Sequence, residues 1–328
     1  MANNKFPLQF RSGVAPLIER FIQEKQAVGY KYQFGALALE RLDRFLAKKG
    51  LTQCELPREL ASKWLAKRPH ESAANHGYRG HTLRRLAIFM VNQGYSAYVP
   101  DPHLMPKGGD SGFSPRILTH AEIRRVLHVA DHIKPSGKSP LRHLVMPEMF
   151  RLLYGCGLRV SEALHLKVGD VDLERGVLRL RETKFGKDRQ VPPAVSLVQR
   201  LQRFDREFGR RPASAYFFPN VRGGPWHISS VYSFYRKLLA RSGISHAGRG
   251  KGPRVHDLRH TFAVHRLLHW YREGADLNAK LPVLATYMGH LDILGTQHYL
   301  HLTAELFPEI TSRSQAHFGD VIPRRVVS

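Results

Sequence analysis

VHDLRHTFAVH, residues 255–265, is the stretch of this sequence that decides most about its fold. Leu258 and Phe262 recur at helical spacing, so the stretch predicts an amphipathic helix that buries them. His256 and Arg259 lie three residues apart, which places their side chains on one face near the N-terminal end of that helix. Because the apolar stripe does not need them, this pair is able to clamp a phosphate group.

Two other stretches offer groups of related chemistry. In YGCGLRVSEALHL (154–166), glycines end one helix and Arg159 begins the next. A guanidinium there presents a fork to a phosphate, and the helix N-terminus adds partial positive charge. The alternative is a surface arginine that pairs with Glu162. In MGHLDILGTQHYLHLT (288–303), a glycine ends a helix, His290 lies at the junction and Tyr299 follows, although a helical tyrosine usually belongs to the core.

A β-hairpin is predicted between these stretches. VLRLR (177–181) alternates in polarity, FGKD (185–188) supplies a turn, and RQVPP (189–193) closes the hairpin. Lys184 and Lys187 flank the turn, where a lysine is able to reach a bound polyanion and act as a proton donor. A lone turn lysine is more often simply solvated.

Apolar periodicity divides the chain into two domains. The first predicts helices near 14–28, 34–48, 57–67 and 73–93. Residues 98–115 contain four prolines and three glycines, which is typical of a linker. The second domain predicts helices near 119–131 and 140–155, one from residue 159, a strand-rich interval, and helices near 256–272, 281–288 and 291–302. The expected fold is mainly α with a small β-sheet or hairpin: a helical domain (1–98), a linker (99–117) and a mixed α/β domain (118–328).

The charge balance indicates a polyanionic partner. Lys and Arg total 51 against 27 Asp and Glu, a formal net charge of +24. The last helix of the first domain carries a basic face, whose alternative is a merely solvated one: Arg79, His81, Arg84 and Arg85. No apolar stretch approaches the ~20 residues that span a bilayer, the N-terminus lacks a signal-peptide core, and the two cysteines lie far apart. We therefore expect a cytoplasmic protein with no membrane partner.

In this chain LRxxE, a hairpin lysine, HxLRH, GH and a tyrosine follow one another in an order and spacing that resembles the tyrosine recombinases. That family includes phage integrases, Xer-type recombinases and transposon-borne relatives. The resemblance covers residues 118–310, and over residues 10–100 it is architectural, implying a helical DNA-clamping domain before a tyrosine-recombinase catalytic domain. It implies a catalytic set: Arg159, Lys184, His256, Arg259, His290 and Tyr299.

The resemblance also assigns roles within this set. The two arginines would bind the scissile phosphate, Tyr299 would attack it, and His256 would assist transfer of the phenolic proton. His290 would hydrogen-bond the phosphate, and Lys184, just before the turn, would protonate the leaving oxygen, with Lys187 as the runner-up. Further basic residues are expected to contact DNA: Arg79, Arg84, Arg85, Lys187, Arg189 and Arg254.

The implied function is site-specific recombination, in integration, excision or transposition. Strands would be cut through 3′-phosphotyrosyl links, with a Holliday junction between the two rounds. The expected partner is double-stranded DNA with specific recombination sites, bound by a homotetramer that the C-terminal segment helps to assemble, together with accessory DNA-bending or directionality proteins. Two alternatives are type IB topoisomerase-like relaxation of DNA, and a non-catalytic DNA-binding protein in which Tyr299 is structural.

No cofactor or metal is expected. A phosphotyrosine stores the energy of the broken bond, so the reaction needs no ATP. Four histidines on one predicted helix suggest zinc, but the step of five between two pairs turns them apart and no HExxH glutamate is present: His256, His260, His265 and His269. GRGKGPR (248–254) is wrongly spaced for a nucleotide-binding loop.

Overall fold

The computed structural model describes residues 8–105, 115–137, 139–181, 188–246, 248, 252–290, 294–297 and 299. The chain divides into two compact units, Met1–Ser114 and Pro115–Ser328. Among the described residues, no helix has both the length and the apolar character that a bilayer crossing requires. The predicted linker (99–117) falls partly outside the described residues, and so do Lys184, Lys187 and the C-terminal segment.

The first unit is helical, as the periodicity predicts. It contains α1 (Ala15–Ala27), α2 (Gln33–Lys48), α3 (Arg58–Leu65) and α4 (Ala73–Asn92). Each buries an apolar stripe in a common core, to which Ile18, Leu42, Trp64, Leu83 and Leu86 contribute. Ser72 caps the start of α4, because its side chain accepts a hydrogen bond from the backbone amide of Asn75.

The second unit is mainly helical, with one small sheet. Its helices are α5 (His120–Asp131), α6 (Arg142–Gly155), α7 (Val160–His165), α8 (Val195–Phe208), α9 (Ile228–Arg241), α10 (Asp257–Arg272), α11 (Leu277–Met288) and α12 (Leu294–Gln297). Helix α6 is buried between α5, α8 and α10. A neighbouring cluster joins α10, α11 and Tyr299 through apolar contacts.

The sheet is antiparallel in the order β1 (Val171–Asp172), β2 (Val177–Leu180), β3 (Arg189–Val191). Leu178 lies opposite Val191 and Leu180 opposite Arg189. The pairing of β2 with β3 confirms the predicted hairpin, whose turn lies outside the described residues. Leu178, Leu180 and Val191 are buried, so this face of the hairpin packs onto the core.

The prediction of a strand-rich interval after residue 159 is wrong for most of its length, because α8 and α9 lie within it. In α8 the buried residues Leu197, Leu201 and Phe204 follow one another at spacings of four and three, which is a helical and not a strand period. Helix α9 buries Val231, Phe234, Tyr235, Leu238 and Leu239 in the same manner. The alternation of the hairpin therefore ends at Val191, and the prolines that follow mark the start of a helical segment.

Candidate active site

The C-terminal end of α11 gathers three arginines. Gly289 ends the helix in the left-handed conformation (φ 69°), and the last carbonyl groups of any helix lack partners within it. These oxygens also carry the negative end of the helix dipole, which favours cations. Three guanidiniums donate to them: Arg189 Nε to Tyr287 (3.0 Å), Arg259 Nη2 to Met288 (2.6 Å) and Arg159 Nη2 to Gly289 (2.8 Å).

Arg259 is buried without a carboxylate. Its side chain is 2 % exposed, and its Nη1 donates to the backbone oxygen of Gly157 at 2.7 Å. Among the described residues, no acidic side chain lies within ion-pair distance of it. Burial, and next the neighbouring Arg159 charge, lower the pKa of Arg259 to about 10, so the guanidinium still carries its charge at neutral pH.

Gly157 permits this arrangement. Its φ is +59°, and a Cβ atom there would lie 2.4 Å from Cδ1 of Phe262. A side chain would therefore displace either Phe262 or the carbonyl group that holds Arg259. The glycine directly before the LRxxE motif is therefore required by the packing of Phe262 and by the contact with Arg259.

Arg159 is partly exposed and pairs with Glu162. Its Nη1 donates to Oε1 at 2.8 Å, and its backbone amide donates to Oε2 at 2.8 Å. Burial would raise the pKa of Glu162, but hydrogen bonds and charge from Arg189, and then hydrogen bonds from Arg159, outweigh it and hold that pKa below its usual value. The pairing that the sequence offered as an alternative is therefore present, and Arg159 also reaches the end of α11.

Tyr299 lies at this cluster of arginines. The side chain is 3 % exposed, and its hydroxyl is hydrogen-bonded with the Arg259 side chain. Burial raises the pKa of Tyr299, and Arg259 and Arg159 act against that rise. Its ring centroid lies 6.0 Å from that of His290, whose Nδ1 is 2.7 Å from Thr296 Oγ1.

His256 immediately precedes α10 and is half-buried. Burial, followed by the charges of Arg259, Arg254 and Arg159, lowers the pKa of His256 to about 4. The imidazole is therefore neutral near pH 7.

Two residues near the tyrosine, His260 and Thr296, were not predicted as part of the site. The His260 ring lies 5.4 Å from the Tyr299 ring and 4.8 Å from the His256 ring, and Thr296 is fully buried. From the sequence, His260 was a candidate only for a zinc site. Its position one residue after Arg259 and four after His256 was the available signal, because i and i+4 lie on one helix face. In the described part of the chain, His, Cys, Asp and Glu side chains form no cluster of three that could hold a metal ion.

Two of the residues expected to contact DNA are instead engaged inside the protein. Arg79 is buried and bonded to Glu71 through Nε (3.0 Å) and Nη2 (2.7 Å), so it does not belong to an exposed basic face. Arg189 is 9 % exposed and bonded to both carboxylate oxygens of Glu162. In each case the guanidinium forms an ion pair with a buried carboxylate.

The remaining described candidates are more accessible. Arg84 is half-buried and donates to the backbone oxygen of Pro100 at 3.0 Å, whereas Arg85 is exposed. Arg254 is half-buried, with its Nε 3.7 Å from Asp257 Oδ1. The structure thus brings together Arg159, Arg259, His256, His290 and Tyr299 from separate stretches of the second unit.

Comparison with known proteins identifies the family of this chain. The model of the Phage integrase family matches residues 116–305. A Sinorhizobium fredii protein named "Putative integrase/recombinase y4rB" is 30% identical over 313 residues, which cover 92% of this chain and 97% of that protein. Tyrosine recombinase XerD of Ralstonia nicotianae is 31% identical over 249 residues, 74% of this chain and 74% of that protein.

Solved structures share the fold. The Tn1549 transposon integrase in complex with circular intermediate DNA matches at a TM-score of 0.62 and 21% identity, over 88% of this chain and 95% of that chain. Because the family match covers the unit that carries the clustered arginines, histidines and tyrosine, and full-length relatives agree with it, this protein belongs to the phage integrase family of tyrosine recombinases.

Proposed function

We propose that this tyrosine recombinase cuts and rejoins double-stranded DNA through a covalent 3′-phosphotyrosyl link on Tyr299, with a Holliday junction between two rounds of strand exchange. The observation that carries the proposal is the meeting of the Tyr299 hydroxyl with Arg259, a buried cation that no described carboxylate neutralises. Such a cation is suited to bind a phosphate next to the attacking phenol.

The chemistry balances without an external energy source. The Tyr299 oxygen forms a bond to phosphorus as the bond from phosphorus to the 5′ oxygen breaks. The phenolic proton passes to a base, a transfer that we propose His256 assists once the negative charge of a bound phosphate has raised its pKa, and the 5′ oxygen takes a proton from an acid, for which we propose Lys184 before Lys187. The freed 5′ hydroxyl of a partner strand then attacks the phosphotyrosine and regenerates the phenol.

Arg159 and Arg259 would hold the non-bridging oxygens of the same phosphate. Both side chains are fixed by backbone oxygens, so the positive charge is placed before DNA binds and little reorganisation is needed in the transition state. His290 would add a hydrogen bond from the same end of α11. We assign these roles, with those of Tyr299, His256 and the lysine, as the catalytic set of the reaction.

DNA is the proposed partner of both units. The net charge of +24 supports it, and the Tn1549 integrase matched above is described in complex with DNA. We propose that the helical first unit clamps the duplex, using exposed Arg85 and half-buried Arg84, while Arg254 contacts DNA beside the second unit's site. Recombination between two sites implies four protomers on two duplexes, and such a DNA substrate implies a cytoplasmic enzyme.

A nicked suicide duplex tests the proposal. The substrate would carry a sequence selected from a random-sequence library by binding to the protein, with a nick close to the cut so that the released short strand diffuses away. The wild-type protein should form an adduct that survives denaturation, and Tyr299→Phe should form none. Tyr235→Phe is the matched control, because Tyr235 is buried and its hydroxyl has no partner in the described structure.

The products then separate the alternatives. Recombinant joints between two duplexes support recombination, whereas relaxation of a supercoiled plasmid without joints would indicate a topoisomerase-like enzyme. A Tyr299→Phe protein that still forms the adduct would refute the assignment of the nucleophile.

A further inference from the structure

Arg189, the first residue of β3, uses its whole guanidinium inside the protein. Nη1 donates to Glu162 Oε1 at 2.8 Å and Nη2 to Glu162 Oε2 at 2.9 Å, while Nε donates to the backbone oxygen of Tyr287 at 3.0 Å. This is the bidentate geometry that arginine forms with carboxylates and that lysine cannot reproduce. Arg189 therefore joins the hairpin to α7 and to the end of α11.

Gly289 allows this approach. A Cβ atom there would lie 2.8 Å from Arg189 Nη1 and 3.0 Å from its Cζ. The Arg189 guanidinium thus lies directly against the turn that supplies the backbone oxygen bound by Arg159. The glycine that precedes His290 is needed both for its positive φ and for this contact.

We propose that Arg189 is a positioning residue for Arg159, and that it acts through Glu162 and the end of α11 without touching DNA. Arg159 has two side-chain acceptors, Glu162 Oε1 and the backbone oxygen of Gly289. Arg189 holds Glu162 directly through hydrogen bonds. It holds the Gly289 oxygen indirectly, through its bond to Tyr287 and its contact with Gly289. This inference rests on the proposed function, because it deepens the role given to Arg159.

The charges give a second reason for the arrangement. The pair formed by Arg189 and Glu162 is nearly closed to solvent, with side-chain exposures of 9% and 6%. Because Arg189 occupies both carboxylate oxygens, Glu162 holds the guanidinium of Arg159 by one oxygen only and cannot neutralise it fully. Without Arg189, Arg159 would be drawn into a bidentate pair with Glu162, and its charge would be less available to a phosphate.

The first test is Arg189→Lys in single-turnover cleavage of the nicked suicide duplex at saturating protein. We expect the rate to fall about 10- to 100-fold, because a small displacement of a phosphate-binding group costs that much. DNA affinity and its salt dependence should stay at the wild-type values, since Arg189 meets no phosphate. Arg179→Gln is the matched control: Arg179 is the exposed basic residue of β2 that lies opposite Gln190, and it should cleave at the wild-type rate.

A double-mutant cycle with Arg159→Lys separates positioning from general structural support. If Arg189 acts through Arg159, adding Arg189→Lys to Arg159→Lys should lower the rate by less than about threefold. If Arg189→Lys lowers the rate by the same factor in the wild-type protein and in Arg159→Lys, the proposal is overturned. Partial unfolding of the variant does not alter this conclusion, because a folding defect lowers the rate by the same factor in both proteins. A smaller salt slope for Arg189→Lys would also overturn it and show a phosphate contact. Failure of the wild-type protein to form any adduct would count against the proposed function instead.

Discussion

The two units each bury an arginine on a helix, and the two arginines are treated in opposite ways. Arg79 in α4 is 5% exposed, is bidentate to Glu71 and lies over the Trp64 ring at 5.1 Å. Arg259 in α10 is 2% exposed, but it meets backbone oxygens and the hydroxyl of Tyr299. A buried guanidinium balanced by a carboxylate ties two elements together, whereas one left unbalanced retains its charge for an anion that binds later.

The unbalanced arrangement is costly for folding. A buried cation without a counter-charge loses hydration, and the lowered pKa of Arg259 reflects that loss first. The negative end of the α11 dipole offsets part of the cost through the oxygen of Met288. The second unit thus sacrifices stability at the position where a phosphate would restore the balance, and the first unit does not.

Among changes to the buried arginines, the largest expected effect comes from Arg259→Lys. We expect the cleavage rate of the suicide duplex at saturating protein to fall by about 10²- to 10³-fold, the usual cost of losing a donor to a developing anion. A lysine keeps the charge but cannot span the oxygens of Gly157 and Met288 while it also faces a phosphate.

Arg266→Lys is the control for this change, since Arg266 is exposed on the same helix, and it should cleave normally. Wild-type cleavage by Arg259→Lys would break the comparison, because the unbalanced charge would then have no catalytic use.

Arg79→Met should affect stability and leave the chemistry intact. The substitution leaves the buried carboxylate of Glu71 without its partner, so we expect the free energy of unfolding of the first unit to fall by roughly 2 to 3 kcal/mol. Hydrogen exchange of the α4 amides measures this loss, and the cleavage rate of folded protein should be unchanged. Lys63→Met, which removes an exposed pair with Glu59, should leave the stability of the unit nearly unchanged.

Acid should remove the difference in stability between the wild-type protein and Arg79→Met. The hydrogen bond from Arg79 is the main reason why the pKa of Glu71 is lowered to about 2. In the unfolded chain a glutamate titrates near ~4.3. Because the folded pKa is the lower one, the stabilisation is present above about pH 4.3 and is lost as the pH falls towards about 2. A gap between wild type and Arg79→Met that stays constant through this window would contradict the ion-pair explanation.

Part of this contrast was available from local spacing alone. Arg79, Leu83, Leu86 and Met90 follow at intervals of four, three and four, so Arg79 lies on the buried stripe of α4. Arg189 lies two residues before buried Val191, and the period of two in a strand turns both side chains to the same face. The charge of both arginines predicts a contact with DNA, whereas their periodicity predicts burial.

Other features required the folded chain. The order of Arg159, His256, Arg259 and Tyr299 predicted that they act together, but not that the end of α11 supplies the oxygens that hold both arginines. Arg159 and Gly289 are 130 positions apart and Arg259 and Met288 are 29 apart, so no local pattern encodes either contact. Glu71, whose carboxylate pairs with Arg79, likewise lies outside α4, in the loop before it.

The smallest expected effect distinguishes the exposed from the buried arginines of α4. Arg85 is exposed, and if it meets a phosphate, Arg85→Gln should weaken DNA binding a few-fold and reduce the slope of log K against log salt by about 0.9. The cleavage rate at saturating protein should not change, because the chemistry belongs to the second unit. Arg79→Met, measured on the same duplex by titration at several salt concentrations, should keep the wild-type slope because Glu71 already neutralises that charge. A reduced slope for Arg79→Met together with an unchanged slope for Arg85→Gln would reverse the assignment, and would mean that the ion pair opens when DNA binds.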